Sequence, residues 1–103
     1  MKAALFCGGW EGHDPEAFRV WADGLLSANG FEVESHDTLA PLADPDAMRD
    51  VDLIVPIWSS ARSAHRPEFG TMTKAEEDGL LAAIAGGCGI AGWHGHMGDA
   101  FRD

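Results

Sequence analysis

Apolar residues recur along this chain in two rhythms. Lys2 to Cys7 is a short apolar run halted by Gly8-Gly9, which predicts a buried strand. Phe18, Trp21, Ala22 and Leu25 then follow at helical spacing. Asp14 is placed to cap that helix, Pro15 suits its first position, and Asn29-Gly30 tolerate the backbone that ends it. Phe31 and Val33 alternate with Glu32 and Glu34, the pattern of a strand with one exposed side. Asp44-Pro45 repeats the cap-and-proline signal and predicts a short helical turn to about Arg49. Leu53 to Trp58 is continuously apolar and β-branched, as in a strand covered on both faces. Pro56 interrupts it without an N–H to donate, so pairing is expected to loosen near its C-terminal end. Ser59 to Thr71 has no periodicity and predicts a long loop. Thr73 and Glu76 form a capping box, Leu80, Leu81 and Ile84 supply the buried side of the next helix, and Gly86-Gly87 end it. A last strand is expected from Cys88 to about Trp93, then a tight turn at His94-Gly95 and the start of a helix.

Strands alternating with helices predict one α/β domain over residues 1–103, a parallel sheet with helices on both faces. A flavodoxin-like strand order of 2-1-3-4 is the simplest closure. Ligands of such sheets bind beyond the C-terminal strand ends. That rim carries Gly9-Trp10-Glu11-Gly12-His13, His36-Asp37, Trp58-Ser59 and Trp93-His94-Gly95-His96. Three of the four tryptophans therefore fall at one rim, whereas Trp21 is expected in the core.

Charge narrows the ligand. Seventeen acidic against seven basic residues give a net charge of −10, which repels phosphate backbones and anionic lipid, so neither nucleic acid nor membrane is an expected partner. Glycines 8, 9 and 12 miss the G-x-G-x-x-G spacing and Glu11 would repel a phosphate, so no nucleotide cofactor is expected. The histidines lack any metal-binding signature, and no metal site is expected. Indole faces beside Glu11, His13, Asp37 and His94 suit a neutral sugar, with apolar C–H faces to stack and hydroxyls to bond. The first apolar run is shorter than the ~7–15 residues of a signal-peptide core, and no run approaches the ~20 of a membrane span. Cys7 and Cys88 accordingly read as reduced thiols in a cytoplasmic protein, expected as a homo-oligomer.

Gly92-Trp93-His94-Gly95-His96 stands at a strand-to-helix elbow where α/β hydrolases carry G-x-S-x-G and class I glutamine amidotransferases an analogous cysteine turn. Here the central residue is His94, which can transfer protons or bond a hydroxyl, and His96 replaces the closing glycine. Together "CGGWEGHDPEAF", "DLIVPIW" and "MTKAEEDGLLAAIAGGCGIAGWHGHMGDAF" resemble the ThuA-like, or trehalose-utilisation, family. The resemblance implies a class I glutamine amidotransferase-like fold without a glutaminase triad, and a role in breakdown of trehalose or a related disaccharide. It also implies a pattern continuing through further strands, of which this chain would be the N-terminal portion. It places Trp93, His94, Gly95, Gly9, Trp10 and His13 at the site. The expected catalytic groups are then His94, His13 and Glu11, with Gly9, Trp10, Trp58, Trp93, Gly95 and His96 binding substrate. Ser59 to Gly70 is longer than that pattern requires, and it carries Arg62 and His65. Two other readings stand: a non-catalytic sugar-binding or interaction module, and a cysteine-dependent amidotransferase or hydrolase using Cys7.

Overall fold

The computed structural model describes residues 1–59 and 72–98. Apart from Ser59, the expected long loop with Arg62 and His65 lies outside the described residues. Four parallel strands, β1 (Lys2–Gly9), β2 (Glu32–His36), β3 (Leu53–Ser59) and β4 (Gly89–Ile90), form one sheet in the order β2-β1-β3-β4, the flavodoxin-like arrangement. Helix α1 (Pro15–Ala28) links β1 to β2, a 3-10 turn (Ala40–Ala43) and α2 (Pro45–Met48) precede β3, α3 (Lys74–Ala85) precedes β4, and α4 (His94–Gly98) follows it.

Helix starts form where local chemistry supplies acceptors for free backbone N–H groups. The Asp14 carboxylate accepts from Ala17 N at 3.3 Å at the head of α1. At α3 the box is reciprocal: Glu76 N donates to Thr73 Oγ1 at 3.1 Å and Thr73 N to Glu76 Oε1 at 2.9 Å.

Strand alternation divides the core into two layers. Ala3, Leu5 and Cys7 of β1 join Val55 and Ile57 of β3 under Ala22 and Leu26 of α1. Ala4 and Phe6 face the other way with Ile54 and Trp58, against Leu39, Leu42, Met48 and Leu80. Full burial of each large side chain contributes roughly 1.5–3 kcal/mol, so β1 and β3, apolar on both faces, are the principal source of stability. Three expectations need correction. Leu80 is buried, but Leu81 and Ile84 remain 55% and 37% exposed. Trp21 is not a core residue: it is 55% exposed and meets Trp93 edge to face at 5.4 Å. The last strand is only Gly89–Ile90, not Cys88 to Trp93.

Pro56 explains that short strand. Pairing with β1 runs the length of β3, from Leu53 to Ser59. On the other side Ala91 N donates to Ile54 O at 3.1 Å. In a parallel ladder the next bond would come from residue 56 to the Ala91 carbonyl, and proline has no hydrogen to give. The chain leaves the sheet there, and Gly92 and Trp93 carry it over the end of β3 into α4. Among the described residues no helix is long and apolar enough to cross a membrane.

Candidate functional site

Two chain reversals meet above the β1 and β3 ends. β1 finishes at Gly9, whose φ of 78° lies in the left-handed region. A Cβ at Gly9 would stand 2.2 Å from the Ser59 carbonyl oxygen, so only glycine permits this close crossing. Trp10 N then donates to Ser59 O at 3.1 Å, and the 3-10 turn Glu11–His13 delivers His13 over β3 before Asp14 opens α1. On the other side, Trp93 leads into His94, which has a φ of 46°. A non-glycine residue in that region stores about 1–3 kcal/mol of strain, and such strain concentrates at functional sites.

The two reversals interlock through imidazoles. His13 Nδ1 lies 2.5 Å from the hydroxyl of fully buried Ser59. Its ring packs on Gly95, where a Cβ would approach His13 Cε1 to 2.4 Å. The His13 ring centre is 5.5 Å from that of His94 and 5.3 Å from that of His96. His96 Nε2 donates to the His13 carbonyl at 2.9 Å, because a carbonyl only accepts. His96 is therefore an Nε2–H imidazole, and its buried Nδ1 has no partner among the described residues. Burial, helped by nearby His13 and His94, pushes its pKa below the ordinary histidine value, while its bond to the His13 carbonyl pulls the other way. Phe18 and Trp93 wall this ring at centroid distances of 4.7 and 5.6 Å. An open cleft of about 310 Å³ is lined by Gly12, His13, Asp14, Phe18, Trp93, His94 and His96. That is the lower end of the ~300–1,000 Å³ typical of small-ligand sites.

The structure thus brings His13, His94, Gly95, His96 and Trp93 together. Trp10 touches the cluster edge-on, its ring 4.8 Å from His13, and Gly9 contributes the turn beneath it. Glu11 sits exposed on the 3-10 turn, outside the cleft lining, and its backbone carbonyl accepts from Asp14 N. Trp58 is a correction. It is only 8% exposed, lies in the layer facing α3, and packs over Gly8, because adjacent strand residues point to opposite faces. The same parity that sends Trp58 away turns Ser59 toward His13, a partner that the sequence reading does not single out. Phe18 and Asp14 are further lining residues that it passes over. His36 stacks on Phe6 at 5.1 Å and, with Asp37, Cys7, Glu16, Arg19 and Ser35, lines a separate cleft of about 340 Å³ beside β2.

Burial pushes the Cys7 thiol up to about 12, so it is not a thiolate at neutral pH. Cys88 is also raised, first by burial and then by Asp52. Among the described residues no group of three or more His, Cys, Asp or Glu side chains is arranged to hold a metal ion. No family model, curated protein or solved structure matches the chain.

Proposed function

We propose that this chain is a ThuA-like protein of carbohydrate catabolism that takes a neutral sugar, trehalose or a related disaccharide, into the histidine cleft. In this reading His94 is the acid–base group, His13 and His96 frame the reacting end, and Trp93 offers an apolar ring. The observation that carries it is the left-handed backbone of His94 at the elbow. Strained non-glycine backbone tends to cluster at functional sites, and His94 stands beside an open cleft. The net charge of −10 favours a neutral ligand over a phosphorylated one. A cysteine nucleophile is the weaker alternative, since Cys7 is buried and its thiol is held protonated.

A positioned general acid–base contributes about 10²–10⁴-fold to rate. The test is calorimetric titration of a panel of mono- and disaccharides, followed by product analysis, on the natural chain and His94→Ala. Saturable binding with turnover that His94→Ala lowers by about that factor supports the assignment. Binding without turnover favours the sugar-binding module. That outcome has structural support, because His13 and His96 each commit a ring nitrogen to the protein itself. Failure to bind any neutral sugar overturns both.

A further inference from the structure

Ser59 is the last residue of β3 and wholly buried, and its hydroxyl meets His13 Nδ1 at 2.5 Å. Which atom owns the hydrogen decides what His13 can do. A serine hydroxyl has one proton and two lone pairs, and a neutral imidazole has one N–H and one bare nitrogen. If Nδ1 carried the proton, Ser59 would accept, and its own O–H would need a second acceptor within fully buried surroundings. Among the described residues the side-chain partner of that hydroxyl is His13 Nδ1. A buried donor left without an acceptor bears its full desolvation cost. If Ser59 donates instead, what stays unpaired is a lone pair, which proteins tolerate more readily.

We propose that Ser59 is a positioning residue that fixes neutral His13 in its Nε2–H form by donating to Nδ1. His13 then lines the cleft as a hydrogen-bond donor toward a ligand oxygen. It is not a proton shuttle, since giving up Nε2–H from a neutral ring would leave an imidazolate. Proton transfer falls to His94. The division of roles rests on the proposed sugar site, but the Ser59–His13 arrangement does not.

The test is long-range nitrogen–proton correlation NMR of the unliganded protein labelled with ¹⁵N at histidine. It is run at a pH where the rings are neutral, with His13 assigned by loss of its signals in His13→Gln. The expected pattern for the natural chain is a pyrrole-type Nε2 and a hydrogen-bonded pyridine-type Nδ1. In Ser59→Ala, Nδ1 should move toward the position of an unbonded nitrogen and an Nδ1–H population should grow in. His96, which donates to a carbonyl, should keep its Nε2–H signature and so report that the site remains folded. A proton on Nδ1 in the natural chain overturns the proposal without need of any variant. So does a His13 pattern unchanged in Ser59→Ala. If a sugar binds, Ser59→Ala should raise its Kd by about tenfold, the equivalent of one hydrogen bond. Intact tautomer results with no sugar binding would leave the Ser59 assignment standing and remove the sugar reading alone.

Discussion

Gly95→Ala places one methyl group where the two reversals touch. The added carbon would sit 2.4 Å from His13 Cε1 and 3.0 Å from Nδ1, against a comfortable carbon–carbon separation of ~3.5–4.0 Å. The ring must retreat by about 1 Å or more to restore that separation. It is not free to do so: Nδ1 is held at 2.5 Å from Ser59, and the backbone of His13 is tied to His96 through its carbonyl. Overpacking costs about 1–3 kcal/mol, and losing the Ser59 bond about 0.5–1.5 more. Against this stands the better helix propensity of alanine at the second residue of α4, at most ~1 kcal/mol. The steric term wins, and net destabilisation of about 1–3 kcal/mol is expected from equilibrium urea unfolding. A double-mutant cycle isolates the cause. In a Ser59→Ala background the ring can swing away, so the combined variant should be about 1 kcal/mol less destabilised than the sum of the single changes. Neutral or stabilising behaviour of Gly95→Ala, or strict additivity in the cycle, would refute the picture of a pinned ring.

His94→Gly should be more stable than His94→Ala by about 1 kcal/mol, because alanine inherits the left-handed strain and glycine does not. The opposite order, expected of an ordinary helical position, would contradict the strained elbow. His96 resists protonation when folded, whereas in the unfolded chain it takes a proton near its ordinary value of ~6.5. Its contribution to stability is therefore full above that pH and lost as pH falls below it, and His96→Gln should flatten this part of a denaturation-versus-pH series. Cys7 should react with a thiol reagent at neutral pH only as the chain unfolds, its labelling tracking added denaturant. Rapid stoichiometric modification of Cys7 in the native Cys88→Ser variant would show that this thiol is neither buried nor held protonated.

Much of the fold is written in local signals. Asp14-Pro15 and the Thr73–Glu76 box act over three or four residues, so helix starts are legible from the chain alone. Chain order together with apolar runs predicts the parallel sheet. The orientation of Trp58 is not legible in the same way. β3 is apolar on both faces, so no polar alternation marks which residues look toward α1, and its pairing with β1 decides the matter. The exposure of Trp21, Leu81 and Ile84 escapes for a related reason: helical spacing defines an apolar stripe but not whether a neighbour covers all of it. At the site, the glycine turn and the histidine elbow are visible as motifs, whereas Ser59 is visible only through parity. Once His13 lies over β3, the residue after Trp58 must point the opposite way from that indole.

The proline in β3 has a further effect, on encounters between molecules. A sheet flank recruits stray chains by offering a row of alternating donors and acceptors. On one flank of this sheet the outer strand is a stub of two residues, and past it stands a ring nitrogen that bears no hydrogen. The opposite flank, β2, carries the exposed carboxylate of Glu32, while Glu34 is paired with Lys2 at 2.8 Å. Among the described residues neither border is a good template for growth: backbone chemistry disfavours side-by-side pairing at one margin and the Glu32 carboxylate at the other.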